Sequence, residues 1–128
     1  MPVNFEYWTQ TSVLCRAYGA RLVVIDSAAK HSLVQSYLAS KTGGTSTQQV
    51  WIGKTNTFGE GLGDGGWIDV TVGPTPYIDW ATGFPLSTDK TNCMYITNGS
   101  PDYKMKNDQC LKSFKAVCEY AYDGTGTL

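Results

Sequence analysis

The sequence predicts a single folded domain that combines two α-helices with β-strands and a long loop region. Its 128 residues are enough for one hydrophobic core but too few for two, and 41% of them are hydrophobic. Apolar residues recur at helical spacing towards the amino end, and short β-branched or aromatic runs follow at intervals. Between these runs the chain is rich in Gly, Pro and Thr, which is typical of loops.

The first predicted helix covers residues 8–18 and ends at Gly19. One face of this helix is formed, at steps of four, three and three, by Trp8, Ser12, Cys15 and Tyr18. Cys15 is therefore expected to face the core. The β-branched and apolar run 21–25 that follows is short enough for a buried strand.

The second predicted helix begins after Asp26-Ser27 and ends before Gly43. Its apolar face is formed by Leu33, Val34, Tyr37 and Leu38. This assignment places His31, the one histidine, on the opposite face. We therefore expect His31 to be exposed to solvent rather than catalytic or metal-binding.

The middle of the chain, residues 55–89, contains five acidic residues and no Lys or Arg, and it is expected to form loops. The Gly-rich run 59–66 favours a flexible turn over a phosphate-binding loop, because no Gly-Lys-Ser/Thr and no helical pattern follow it. The sign of the charge reverses in residues 90–115, where a basic patch is predicted, formed by Lys90, Lys104, Lys106, Lys112 and Lys115. Strands are predicted over 93–97 and 114–120, and a mobile tail over 121–128.

The bulk properties exclude several classes of function. A formal net charge of -1 does not favour nucleic acid as a partner. The longest unbroken apolar run, 22–25, is far shorter than a membrane span, so no membrane insertion is expected. The first residues do not have the pattern of a secretory signal, and we expect that any export signal has been removed.

The four cysteines, at positions 15, 93, 110 and 118, show no Cys-x-x-Cys spacing, and a single histidine cannot complete a zinc site with them. Disulfides in an oxidising compartment are the better interpretation. Four cysteines allow three pairings, and the spacing alone does not choose among them.

Several landmarks follow one another in a characteristic order. Trp8 precedes Cys15 by seven residues, and the run Gly19 to Ser27 has the pattern Gly-x-x-Leu-x-x-Ile-x-Ser. Later landmarks are Trp51-Ile52-Gly53-Lys54, Gly66-Trp67-Ile68-Asp69, Tyr77-Ile78-Asp79-Trp80, Gly83-Phe84-Pro85 and the Ala-Val-Cys-Glu that contains Cys118. Together they resemble the C-type lectin-like domain, from about Trp8 to Glu119. Lys54 departs from the family pattern, which has Leu at that position.

The resemblance implies an α+β fold in which two helices flank small antiparallel sheets. It implies one domain over 1–128 with its core in 8–119, and a long loop region over 58–92 that carries recognition. It also implies that Cys15 pairs with Cys118 and that Cys93 pairs with Cys110. The first strand, which in the family pairs with the last, is expected to be short, and Pro85 occupies the position of a loop proline that is often cis.

The resemblance also bears on calcium, which sugar-binding members hold with a Glu-Pro-Asn loop, a Glu before a cysteine and an Asn-Asp pair after a Trp. Here the loop motif falls on Phe84-Pro85-Leu86, and the Glu falls on Thr91. Counting back from Cys110 places Lys106 and Asn107 at the Asn-Asp pair, and a slip of one residue restores Asn107-Asp108. Hydrocarbon side chains cannot coordinate calcium. We therefore predict no metal at the usual sugar site.

Three classes of function follow. The first, which we favour, is a secreted or extracellular recognition module for a glycan or a cell-surface or host protein, as in host or immune recognition. Its candidate ligand-binding residues are Tyr77, Phe84, Pro85, Thr91, Tyr103, Lys104, Lys106, Asn107 and Asp108. The second is a calcium-dependent lectin whose relocated ligands are found among Glu60, Asp64, Asp69, Asp79 and Asp89. The third is an enzyme, which we do not expect, because no nucleophile with an orienting base is evident.

Two further features fit secretion. The loop-rich sequence, with its many Thr and Gly residues, resembles secreted nematode C-type lectin-like proteins, several of which are thought to modulate host recognition. Asn98-Gly99-Ser100 is an N-glycosylation sequon, although Pro101 after it is expected to make it a poor acceptor.

Overall fold

The structure is a computed structural model that describes residues 2–42, 49–56, 66–70, 72–86, 91–97 and 103–120. Within these ranges it contains two helices and eight short strands. In chain order they are β1 (Pro2–Glu6), α1 (Trp8–Ala17), β2 (Arg21–Leu22), α2 (Ala28–Thr42), β3 (Gln49–Thr55), β4 (Ile68–Asp69), β5 (Gly73–Pro74), β6 (Cys93–Thr97), β7 (Met105–Asp108) and β8 (Phe114–Glu119). The predicted α+β fold with two helices is confirmed, but the sheet is mixed rather than antiparallel, because β3 and β8 run parallel.

The strands are organised around β3 and β8, which run parallel to each other with Trp51 opposite Ala116. On the other side of β8, β1 pairs with it in antiparallel fashion, so the first and last strands are neighbours. β2 also pairs antiparallel with β8, at Cys118 and Glu119. β3 also pairs with β6 and β4, which lead to β7 and β5. The first strand has five residues, as many as β6, so it is not shortened as expected, and it pairs with the last one.

The helix α1 covers nearly the predicted range. Its buried face is formed by Trp8, Thr11 and Cys15. Tyr18 lies one residue beyond the last turn and is exposed, so the predicted stripe is wrong at that end. The indole Nε1 of Trp8 donates a hydrogen bond of 2.9 Å to the carbonyl of Ile52, which ties the helix to β3.

The predicted strand 21–25 forms ladder pairs only at Arg21 and Leu22. Residues 23–25 are buried as predicted, but they bond to different partners. The Val23 amide donates to the Val117 carbonyl at 2.9 Å, and the Val23 carbonyl accepts from the Gly53 amide at 2.7 Å. A Cβ at Gly53 would lie 2.8 Å from the Leu22 carbonyl oxygen, so this close approach requires glycine.

Both disulfides have the implied pairing. Cys15 and Cys118, separated by 103 residues, have Cα atoms 5.3 Å apart, and Cys93 and Cys110, separated by 17, have Cα atoms 5.2 Å apart. The first bridge belongs to a buried cluster around Trp8 and Trp51, and a second cluster lies under α2, around Ile52, Met94 and Met105. The predicted tail, 121–128, lies outside the described residues. None of the described helices is long and apolar enough to cross a bilayer.

Candidate recognition site

The loop that carries Phe84, Pro85 and Leu86 is fixed to β7 by the side chain of Asn107. This side chain is 1% exposed. Its Oδ1 accepts a hydrogen bond of 2.7 Å from the Leu86 amide, and its Nδ2 donates to the carbonyls of Leu86 and Thr91, each at 2.9 Å. The Thr91 hydroxyl also donates to the Leu86 carbonyl, at 3.3 Å. The Phe84-Pro85 peptide bond is cis. One amide therefore crosslinks the two ends of the 86–91 segment.

A second network contains His31, and here the expectation of an exposed helix residue is wrong. His31 is 2% exposed because residues 77 and 103 cover the face of α2 on which it lies. Its Nε2 lies 2.8 Å from the Tyr103 carbonyl, and its Nδ1 lies 3.0 Å from the Tyr77 hydroxyl. A carbonyl can only accept, so Nε2 carries a proton; in the neutral ring Nδ1 then accepts from Tyr77. His31 thus joins α2 to the segments on both sides of β6.

Asp79 and Lys104 extend this network towards solvent. The Lys104 ammonium donates to both carboxylate oxygens of Asp79, at 3.0 and 3.1 Å, and Asp79 Oδ2 lies 3.9 Å from His31 Nδ1. The Asp79 carbonyl accepts from the Met105 amide at 2.8 Å. Burial, and then the negative charge of Asp79, raise the pKa of the Tyr77 hydroxyl above 10.0.

The third feature is a buried ion pair that links β3 to β4. Both side chains, Lys54 and Asp69, are 0% exposed. The Lys54 ammonium donates to Asp69 Oδ1 and to the Thr75 hydroxyl. Burial lowers the pKa of Lys54 below 10.5, because losing water costs the ammonium form more than its hydrogen bond and attraction to Asp69 return. Lys54 is the residue at which the sequence departs from the family's Leu.

Residues 5–120 match the sequence model of the family described as the Lectin C-type domain. The chain belongs to the C-type lectin family. The resemblance found in the sequence is therefore confirmed, while its narrower form, the secreted nematode type, stays a prediction.

This C-type lectin domain is similar in sequence to two relatives over most of its length. Regenerating islet-derived protein 3-gamma of Rattus norvegicus is 28% identical over 115 residues, which are 88% of this chain and 64% of that protein. Ladderlectin of Oncorhynchus mykiss is 29% identical over 107 residues, which are 84% of this chain and 53% of that protein. The chain thus spans between about half and two thirds of these relatives.

Solved structures agree on the fold. Human lithostathine superposes with a TM-score of 0.77 at 24% identity, over 94% of this chain and 80% of that one. A calcium-independent type II antifreeze protein superposes with a TM-score of 0.72 at 19% identity, over 94% of this chain and 83% of that one. At these identities the likeness concerns the fold alone.

The residues at the usual sugar site of a C-type lectin do not fit a calcium ion. Calcium takes six to eight oxygen ligands. Phe84 and Leu86 offer only hydrocarbon side chains, and the side-chain oxygen of Asn107 already accepts from the Leu86 amide. The Thr91 hydroxyl is buried and bonded to the Leu86 carbonyl. The remaining side-chain oxygens, those of Asn107 and Thr91, are therefore already used in hydrogen bonds within the protein.

The neighbouring residues of β7 do not complete such a site either. The strand alternates, so that Met105 and Asn107 are buried while Lys106 and Asp108 point to its other face. Lys106 donates to the Thr97 hydroxyl at 3.1 Å. Asp108 accepts from the Gln109 amide at 2.7 Å. Whether Lys106 or Asp108 is aligned with the family's Asn-Asp pair, its side chain forms a hydrogen bond outside the 84–86 loop.

For the alternative calcium site, in the long loop, the structure describes two of the five acidic candidates, Asp69 and Asp79. Asp69 is buried against Lys54, and Asp79 is paired with Lys104, so lysines bind both of its described members. No group of three or more metal-ligating side chains forms within the described ranges. Its other three members, Glu60, Asp64 and Asp89, lie outside those ranges.

The remaining candidates fall into two groups. We call Phe84, Pro85 and Leu86 the loop surface; Phe84 is half-buried and the other two are exposed. Lys104 and Lys106, two residues apart and half-exposed, form what we call the basic edge. Tyr103 is 8% exposed and packs into the core, so the expectation of an exposed aromatic is wrong there. Tyr77 is half-buried and engaged by His31.

Sequence reasoning missed two connections. It flagged Lys54 as a departure but did not pair it with Asp69, although a lone lysine in an apolar strand and a lone aspartate in the next strand were signals for such a pair. It also missed the burial of His31, although its spacing from Val34 and Leu38, at i, i+3 and i+7, places all three on one face of α2, and this is the buried face; Leu33, assigned to the apolar face, is 67% exposed.

Proposed function

We propose that this C-type lectin domain is an extracellular recognition module that binds a glycan or protein partner without calcium at the usual sugar site. The observation that carries the proposal is the set of three hydrogen bonds from Asn107 to the main chain of Leu86 and Thr91. These bonds, together with that of the Thr91 hydroxyl to Leu86, hold the loop through the protein's own groups. The loop surface is then presented to a partner without a bridging ion.

The chemistry of the surface supports binding of this kind. The loop surface offers an aromatic ring beside two apolar residues, which suits stacking on a sugar ring or an apolar anchor of a protein. The basic edge adds two ammonium groups, which attract sulfated or sialylated glycans and acidic protein surfaces. Lys104 is partly neutralised by Asp79 at 3.0 Å, so Lys106 is the stronger contributor.

Calcium independence has a precedent in this fold, since one of its structural neighbours is a calcium-independent type II antifreeze protein. The competing proposal is a calcium-dependent lectin whose ligands are relocated to Glu60, Asp64 and Asp89. What favours our proposal is the engagement of Asp69 and Asp79 by lysines, which removes two of the five acidic candidates.

We also propose that the protein is secreted and that it binds rather than catalyses. Two disulfides fit an oxidising compartment. The one histidine is bound at both ring nitrogens, so it is not available as a general base. No feature of the described surface favours nucleic acid or membrane insertion.

Binding to a glycan array and to a panel of cell-surface proteins, in calcium and in a chelator, tests this proposal. The same ligands should be bound with equal strength in both conditions. Phe84→Ala and Lys106→Gln should each weaken binding at least tenfold. Leu33→Ala and Lys115→Gln, outside the loop surface and the basic edge, serve as matched controls that should bind normally. Binding that requires calcium, or that survives both site variants, would overturn the proposal.

A further inference from the structure

A groove beside α1 shares no residue with the loop surface or the basic edge. Its volume is about 600 Å³, which lies in the range of small-molecule sites. Trp8 and Val13 of α1 form part of its wall, and so do Ile68 and Val70 at β4. Leu111 and the disulfide of Cys93 and Cys110 also line it.

The groove is apolar and open to water. Val13 is 60% exposed and Leu111 is 73% exposed, so two large apolar side chains line its mouth. The polar edge of Trp8 already donates to the Ile52 carbonyl, which leaves the apolar ring surface for the groove. Burying this exposed apolar surface against a ligand is favourable.

The charges at the groove have one sign. Its described lining includes Arg16 and Arg21 but no Asp or Glu. Arg21 is paired with Glu119 at 3.1 Å, whereas no ion pair of Arg16 is found within the described part of the chain. Arg16 lies one turn beyond Val13 on the helix that forms the wall. The groove therefore combines apolar walls with one available guanidinium group.

We propose that this groove binds a single-chain amphiphile with an anionic head, of the fatty-acid class. The tail lies between Val13, Ile68 and Leu111, and the carboxylate pairs with Arg16, whose planar guanidinium matches a carboxylate in two-point geometry. Charge complementarity selects an anionic head over a neutral or cationic one. This site is independent of the proposed recognition function.

Titration calorimetry with laurate, decanoate and octanoate, each below its micellar concentration, tests the ligand class on the intact chain. One molecule should bind per chain, and each loss of two carbons should weaken binding by about tenfold. Dodecanol should bind more weakly than laurate, and dodecyltrimethylammonium more weakly still. The absence of saturable binding, or equal affinity for the cationic amphiphile, would overturn the proposal.

Matched variants test the location. Val13→Asp should weaken laurate binding at least tenfold, whereas Val72→Asp, at a valine of similar exposure (58%) outside the groove, should leave it unchanged. Arg16→Gln should weaken laurate but not dodecanol, and Lys115→Gln should change neither. Melting temperatures confirm that each variant is folded. Equal losses in Val13→Asp and Val72→Asp would show that the binding lies elsewhere.

Discussion

The side-chain amide of Asn107 forms two hydrogen bonds with the main chain of Leu86, accepting its N–H at 2.7 Å and donating to its carbonyl at 2.9 Å. The amide thus binds both main-chain polar groups of Leu86, as a partner residue does in a hydrogen-bonded pair of an antiparallel ladder. A polar group this deeply buried is stable only when its hydrogen bonds are made. The position of the 84–86 loop thus depends on an amide at residue 107.

Asn107→Ala should destabilise the domain by about 3 kcal/mol, because it leaves the Leu86 amide and the carbonyls of Leu86 and Thr91 short of partners. Urea unfolding measures this loss. Asn107→Asp is the informative companion, since a carboxylate cannot donate to the two carbonyls. It should also destabilise, and added calcium should not restore stability, because Phe84 and Leu86 supply no side-chain oxygen. A calcium rescue of Asn107→Asp would show that the site still fits the ion.

The buried ion pair of Lys54 and Asp69 predicts strong coupling between two substitutions. Asp69→Ala alone should cost about 3–5 kcal/mol, because it leaves an ammonium buried without its counter-charge. Adding Lys54→Leu, the family residue, should recover most of that loss, since it removes the uncompensated charge. A double-mutant cycle from chemical unfolding gives the coupling. Additive effects would mean that the two groups do not stabilise each other.

The lowered pKa of Lys54 predicts the direction of a pH effect. Burial places the pKa of the folded state below 10.5, the value that the lysine regains on unfolding. Between these two values the unfolded chain holds more protons, so the free energy of unfolding contributed by Lys54 rises with pH. Below the folded-state pKa the contribution is constant.

The test is to measure the free energy of unfolding of the wild type and of the Lys54→Leu/Asp69→Ala variant from neutral pH to 10.5. The difference between the two proteins isolates the contribution of the ion pair, and it should rise with pH. The subtraction removes the opposite contribution of Tyr77 and Tyr95, whose pKa values burial raises. A difference that falls as pH approaches the upper end would mean that the attraction of Asp69, rather than burial, dominates at Lys54.

His31 should be needed for stability, because it is buried between α2 and the residues that cover it. His31→Leu leaves the Tyr103 carbonyl and the Tyr77 hydroxyl without their partner, and we expect a loss of about 2–4 kcal/mol. Leu33→Ala, two residues away and exposed, should change stability by less than about 0.5 kcal/mol. Thermal and urea unfolding of both variants provide the comparison. Similar small effects in the two would contradict the buried network.

These residues also show how far the sequence could be interpreted. Local patterns predicted both helices and the strands over 93–97 and 114–120, which the structure has as β6 and β8. The order of motifs predicted the fold and both disulfides. The burial of His31 was missed because the apolar face of α2 was assigned to Leu33 rather than to the face that His31 shares with Val34 and Leu38. Local patterns could not predict that Tyr77 and Tyr103, from distant segments, cover this face.

The candidate site was predicted by chemistry rather than by geometry. The hydrocarbon side chains of Phe84 and Leu86, where sugar-binding members have Glu and Asn, were enough to predict the loss of the usual calcium site. What takes the place of the ion was not predictable, because the three bonds of Asn107 depend on how β7 and the 86–91 segment approach each other. The alternation of β7 likewise separates Lys106 from Asn107, which adjacent letters in the sequence do not reveal.

The central claim, that the domain holds its recognition loop without calcium, is tested most directly by its melting temperature in millimolar calcium and in a chelator. If the added calcium were at about a hundred times the dissociation constant of a site, its binding would stabilise the fold by about 2.7 kcal/mol and raise the melting temperature by several degrees. Our account predicts the same melting temperature in both conditions. A saturable rise with calcium would contradict it and favour a lectin whose ligands have moved elsewhere in the long loop.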